Sequence, residues 1–124
     1  MGSGIAEVAS RAGYEVVLRS RKQESADAMV TSLEKSLAKQ VERGKLTEEE
    51  SQTVRARVSA TANLHDLADC DLVIESVVED LAIKTELFKE LDLVVKADAI
   101  LATNTSTLPV IDMAVVTDRP DRVV

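Results

Sequence analysis

The sequence predicts an α/β protein built on a parallel sheet, and three observations carry the prediction. Asp71-Leu-Val-Ile-Glu75 and Asp98-Ala-Ile-Leu-Ala-Thr103 are short apolar runs that stop at polar residues. Longer segments beside them repeat apolar residues at spacings of three and four. The two kinds of segment alternate along the chain, as they do where helical crossovers join parallel strands. Right-handed crossovers place every strand's carboxyl end on one edge, and open α/β sheets bind ligands there.

The elements follow in order. Residues 5–12 read as a helix with Ile5, Val8 and Ala9 on one face and Gly13 placed to end it. Tyr14-Glu-Val-Val-Leu18 reads as a strand. Over residues 25–43, Ala26, Met29, Val30, Leu33, Leu37 and Val41 form the stripe of an amphipathic helix of about five turns, closed by Gly44. Thr47 with Glu50 makes a capping box that opens a second helix carrying Val54 and Val58 inward. The two make a helical hairpin, inserted at about residues 24–58 before a strand around 59–61. The plain reading is solvated faces around a small core; the sharper one is a protruding hairpin that touches substrate. Residues 71–75 are strand, and residues 81–95 are a helix turning Leu87, Phe88, Leu91 and Val95 to the sheet. Residues 98–103 are the next strand, and Pro109 suits the first turn of a further helix. Val123-Val124 reads as the start of one more strand.

Composition excludes several classes. Hydrophobic residues make up 45% and charged residues 30% of 124, a globular balance long enough for a real core. A net charge of -7 leaves no basic surplus for phosphate backbones, so nucleic acid is not expected as a partner. A lone cysteine, Cys70, forms no internal disulfide, which favours a reducing cytoplasm. No apolar run approaches the roughly 18 to 20 residues of a membrane span, and Met-Gly-Ser-Gly does not open a signal peptide. No metal-ligand set is assigned.

Gly2 and Gly4 lie beside the first helix, where glycines let backbone approach a pyrophosphate and the helix terminus supplies donors. An expression-tag remnant would look the same. The spacing from Ile5-Ala6 to the Ala12-Gly13 turn and the strand favours the first reading. Met1-Gly-Ser-Gly-Ile-Ala6, Ala12-Gly-Tyr-Glu-Val-Val-Leu18, Arg43-Gly-Lys-Leu46, Asp71-Leu-Val-Ile-Glu75, Val77-Val-Glu-Asp80, Lys84, Leu87-Phe88, Leu91-Asp92, Ala102-Thr-Asn-Thr-Ser106 and Arg119-Pro-Asp-Arg-Val123 together resemble one family. The chain is similar to the N-terminal dinucleotide-binding domain of the 3-hydroxyacyl-CoA dehydrogenases, closest to the bacterial 3-hydroxybutyryl-CoA group. The block at residues 74–80 with Asn-Thr-Ser is the most specific part.

The resemblance implies a Rossmann-like parallel sheet over residues 1–124 with the inserted hairpin, lacking the fold's first strand and the C-terminal helical domain. It implies reversible hydride transfer between a nicotinamide cofactor and C3 of a short acyl-CoA, in lipid or fatty-acid metabolism, by a homodimer joined through that absent domain. Ser106 is then the catalytic candidate, orienting the substrate oxygen. Asn104 would hold the loop or touch the cofactor, and Glu79 and Lys84 match positions that reach the cofactor; the plainer reading makes Glu79 a helix-start carboxylate and Lys84 a surface charge. Ser36 and Arg43 match positions against coenzyme A, with Lys39 and Lys45 nearby.

Two departures qualify the resemblance. The acidic residue that selects NAD at the end of the second strand is replaced by Ser20, followed by Arg21 and Lys22. A hydroxyl and a guanidinium fork suit a 2′-phosphate, so NADP is expected over NAD; a solvated basic turn is the alternative. The family's catalytic histidine and its glutamate fall beyond Val124, and His65 reads as a surface residue. The chain alone is therefore not expected to catalyse the reaction. Two classes remain: the dehydrogenase of a longer parent, or a non-catalytic nucleotide-binding or assembly module.

Overall fold

Both strand pairs of the computed structural model are parallel, and all 124 residues are described. The chain divides into two units, residues 1–63 and 64–124. No helix is long and apolar enough to cross a membrane.

The first unit runs α1 (Gly2–Arg11), β1 (Val16–Arg19), α2 (Gln23–Glu42), α3 (Glu48–Ala56) and β2 (Val58–Thr61). β1 and β2 pair in register from Val16 opposite Val58 to Arg19 opposite Thr61. Ala26, Val30, Leu33 and Leu37 are the buried stripe of α2, while Met29 and Val41 are only partly covered. Leu33 and Leu37 share a core with Ala6 of α1, Leu18 of β1, Leu46, Val54 of α3 and Val58 of β2. The helical pair is thus built into the unit's core.

Two expectations shift. The first strand begins at Val16 rather than Tyr14, because the Tyr14 amide donates back to Ala9 O of α1 (3.1 Å) and closes that helix. Gly13, at φ +102°, permits this reversal. Val58 was expected on the second helix; it heads β2 instead. Its β-branched side chain suits the ladder, which starts where Val16 N donates to Arg57 O (2.9 Å). Gly44 ends the α2 region at φ +73°, and Thr47 Oγ1 accepts from Glu50 N at 3.1 Å, as the capping signal requires.

The second unit runs β3 (Leu72–Glu75), α4 (Leu81–Val94), β4 (Ile100–Thr103) and α5 (Val110–Ala114). The register sets Leu72 opposite Ile100 and Glu75 opposite Thr103. Val123 bridges Leu101 in parallel: Val124 N donates to Leu101 O (3.0 Å), and Val124 O accepts from Thr103 N (2.8 Å). The expected further strand therefore begins there. Pro109 is the residue before α5 rather than inside its first turn. Arg119 is buried and ties the end of α4: its Nε donates to Asp92 Oδ1 (2.6 Å), and its other nitrogens donate to the carbonyls of Asp92, Val95, Lys96 and Ala99. A guanidinium there meets the unsatisfied carbonyls and the negative end of the helix together.

Candidate active-site edge

The carboxyl ends of β3 and β4 carry a connected polar cluster. Strand alternation turns Leu72 and Ile74 outward and Glu75 inward, so the last residue of β3 is a carboxylate only 3% exposed. Lys84 continues the stripe formed by Phe88, Leu91 and Val95 at spacings of four, three and four, and it is 1% exposed. The two meet: Lys84 Nζ lies 3.1 Å from Glu75 Oε1 and 2.8 Å from Glu79 Oε1. The reading of Lys84 as a surface charge is therefore overturned, because its stem fills an apolar stripe and its ammonium has buried acceptors.

Glu75 has further partners. Its Oε1 also accepts from Val77 N at 2.8 Å, and its Oε2 accepts from Thr103 Oγ1 at 2.5 Å. Glu79 is about half exposed and accepts at Oε1 from Thr105 Oγ1 (2.7 Å) as well as from Lys84. The helix-start role expected of Glu79 belongs to Asp80, whose Oδ1 accepts from Ile83 N at 3.0 Å.

The electrostatics follow from these contacts. The hydrogen bond from Lys84, then that from Thr105, holds the Glu79 carboxyl below its ordinary range. Burial pushes the Lys84 ammonium down, but hydrogen bonds to Glu79 and Glu75 outweigh it and leave Lys84 above its ordinary value. Two carboxylates share one ammonium, so the cluster as a whole holds one negative charge in excess.

The loop after β4 is fixed to this cluster. Asn104 N donates to Glu75 O (3.0 Å), and Asn104 Nδ2 donates to Ser76 Oγ (3.4 Å). Thr105 Oγ1 accepts from Leu108 N (3.0 Å) and Thr107 N (3.3 Å) while donating to Glu79. Ser106 is exposed on that loop, between two anchored neighbours. Glu79, Lys84 and Asn104 are thus brought together, with Ser106 two residues from Asn104. Sequence reasoning missed Glu75, Thr103 and Thr105 as members. The signals were present, since Glu75 ends a strand whose alternation points it inward, and the stripe 84-88-91-95 includes a lysine.

The other predicted residues belong to the first unit. Gly2 and Gly4 lie in the first turn of α1, which no side chain caps. A Cβ on Gly4 would meet nothing within 4 Å, whereas one on Gly2 would meet Met29 Cε at 2.8 Å. The open backbone at Gly4 fits close approach by a phosphate group. Ser20 and Arg21 occupy the turn between β1 and α2, where Ser20 N donates to Thr61 O (3.2 Å) and Arg21 is exposed. Arg19 beside them has its Nε buried without a hydrogen-bond partner. Ser36 Oγ accepts from Gln40 Nε2 (3.4 Å) on α2, and Gln40 Nε2 also donates to Glu7 Oε1 (3.2 Å). Arg43 is exposed at the end of α2. His65 is exposed in a short 3₁₀ turn, Leu64–Leu67.

Residues 1–124 match the family described as 3-hydroxyacyl-CoA dehydrogenase, NAD binding domain. The chain belongs to this family. A probable 3-hydroxybutyryl-CoA dehydrogenase of Deinococcus radiodurans is 48% identical over 97% of the chain and 43% of the relative. The 3-hydroxybutyryl-CoA dehydrogenase of Clostridioides difficile is 44% identical over 100% and 44%. Among solved structures, M. tuberculosis FadB2 superposes with a TM-score of 0.96 at 47% identity, covering 99% of this chain and 44% of that one. The chain therefore spans less than half the length of these relatives. Its α/β, Rossmann-like architecture is that of the 3-hydroxyacyl-CoA dehydrogenase NAD-binding domain, and the polar cluster lies at the carboxyl ends of β3 and β4, the side on which open α/β sheets bind ligands.

Proposed function

We propose that this domain serves an oxidoreductase moving a hydride between a nicotinamide cofactor and C3 of a short-chain 3-hydroxyacyl-CoA, giving the 3-oxoacyl-CoA and one released proton. The carrying observation is the Glu75–Lys84–Glu79 cluster, with Glu75 and Lys84 buried and Glu79 half exposed, tied to the Asn104–Ser106 loop in a chain of this family. The cofactor supplies the hydride acceptor or donor. Within the second unit, Glu79 offers a carboxylate acceptor to a ribose hydroxyl and Lys84 holds that carboxylate in place. Asn104 fixes the loop, and Ser106 orients the substrate oxygen by a hydrogen bond. Within the first unit, the amides at Gly2 and Gly4 suit a pyrophosphate, and Ser36 and Arg43 suit coenzyme A, Arg43 as a cation for its 3′-phosphate. In this reading the enzyme is a cytoplasmic homodimer of lipid metabolism.

NADP is the favoured cofactor. Ser20 replaces the carboxylate that would repel a 2′-phosphate, Arg21 is free to engage one, and the unpartnered Nε of Arg19 adds a donor beside them. The test is reduction of acetoacetyl-CoA by the intact protein with NADPH and with NADH, for wild type and R21A. R21A should lose roughly tenfold in kcat/KM with NADPH and little with NADH, about the worth of one charged hydrogen bond. Unchanged use of NADPH overturns the cofactor assignment. Cofactor binding without turnover of any acyl-CoA would leave a non-catalytic nucleotide-binding module.

A further inference from the structure

Glu75 touches no surface that a ligand could reach, yet it has more partners than any other residue of the cluster. One oxygen accepts from Val77 N (2.8 Å) and meets Lys84 Nζ (3.1 Å); the other accepts from Thr103 Oγ1 (2.5 Å). Its own carbonyl accepts from Asn104 N at 3.0 Å. One residue thereby anchors the loop leaving β3, the loop leaving β4 and the first turn of α4. A buried ion pair of this kind is weak evidence for stability, because an apolar replacement of both partners is often as stable. Its consequence is geometric and electrostatic. Were Lys84 to serve Glu79 alone, the exposed carboxylate would be neutralised by a private partner. Shared with Glu75, the ammonium fixes Glu79 Oε1 and leaves the pair of carboxylates one charge in excess. Glu79 Oε2 makes no hydrogen bond within the chain.

We infer that Glu75 is a positioning residue for the nicotinamide cofactor: it divides the Lys84 ammonium between two carboxylates and ties both loops, so that Glu79 keeps one oxygen free to accept from a ribose hydroxyl. The inference rests on the dehydrogenase reading above and deepens it. Glu75 itself never meets the cofactor. It sets the charge and placement of the residue that does.

The test measures dissociation constants of NADPH and acetoacetyl-CoA separately, by fluorescence titration of the intact protein, for wild type, E75Q, T103V and T103S. E75Q keeps the shape but removes the charge that draws the ammonium away from Glu79, so cofactor affinity should fall roughly tenfold, about one charge-assisted hydrogen bond's worth, with acetoacetyl-CoA affinity unchanged. T103V, a milder change that stays informative where E75Q does not fold, should weaken cofactor binding about threefold, and T103S should restore it. A merely structural role would reduce the folded fraction and leave both dissociation constants of the folded protein alone. Cofactor affinities of E75Q and T103V equal to wild type, or an equal loss for both ligands, overturn the inference and leave the dehydrogenase reading standing. A wild-type protein that binds neither NADPH nor NADH overturns both.

Discussion

Replacing Lys84 by methionine isolates what the buried cluster does for the fold. Methionine follows the same path along the stripe above Phe88 and keeps most of the volume, so packing changes little. What disappears is the ammonium shared by Glu75 and Glu79. The side chains of Lys84 and Glu75 are 2% and 1% exposed, so Glu75 is left as a buried charge that water does not reach. Breaking such a pair costs about 3–5 kcal/mol. Val77 N–H and Thr103 O–H remain as donors to Glu75, which places K84M near the lower end, about 3 kcal/mol. The double variant E75Q/K84M removes the stranded charge, still offers an oxygen to Val77 N, and presents an amide NH2 from which Thr103 Oγ1 can accept. It should recover at least about 1.5 kcal/mol of the loss, within the range of couplings between contacting residues. Urea unfolding of the intact protein, followed by circular dichroism, gives the three values. A K84M variant within about 0.5 kcal/mol of wild type, or a double variant no more stable than K84M, refutes the argument.

Three further outcomes follow from the geometry. Glu79 is lowered from its ordinary 4.5, so its contribution is present above that value and lost as pH falls through the lower folded one; Lys84 is raised from 10.5, so its contribution is present below that value and lost only as pH climbs past it. Side-chain NMR titration checks this, and a Glu79 carboxyl titrating at or above 4.5 contradicts it. G13A and G44A force alanine to φ +102° and +73°, and each should cost about 1–2 kcal/mol by thermal unfolding, against little for alanine at a helical site. R119K keeps the charge but loses the planar fork that reaches Asp92 and four carbonyls; it should cost about 2–4 kcal/mol by the same measurement, and a loss under about 1 kcal/mol would contradict the clamp.

How much could be read from the sequence depended on whether the signal was local. The α2 stripe, the Thr47 cap and the two glycines at positive φ all depend on neighbours within a few residues, and they stand where the spacing put them. Boundaries moved where a distant partner decided them. Val58 left the helix because Val16 offered a parallel ladder, and Tyr14 left the strand because its amide closes α1. The same division governs the site. Glu79, Lys84, Asn104 and Ser106 could be named from a motif, but a motif gives positions, not partners. That Lys84 is buried was legible, since it falls in line with Phe88, Leu91 and Val95. That its partner is Glu75 required knowing that β3 and β4 are adjacent and in register, which sets Glu75 against Thr103. Charge reasoning alone assigns a lysine to the surface because desolvation is costly. It fails here because two carboxylates, one arriving from a strand end and one from a loop, meet a cation carried by a helix. The cluster is therefore a product of the crossover itself, and its members, from Glu75 to Thr105, lie on both sides of the helix that brings them together.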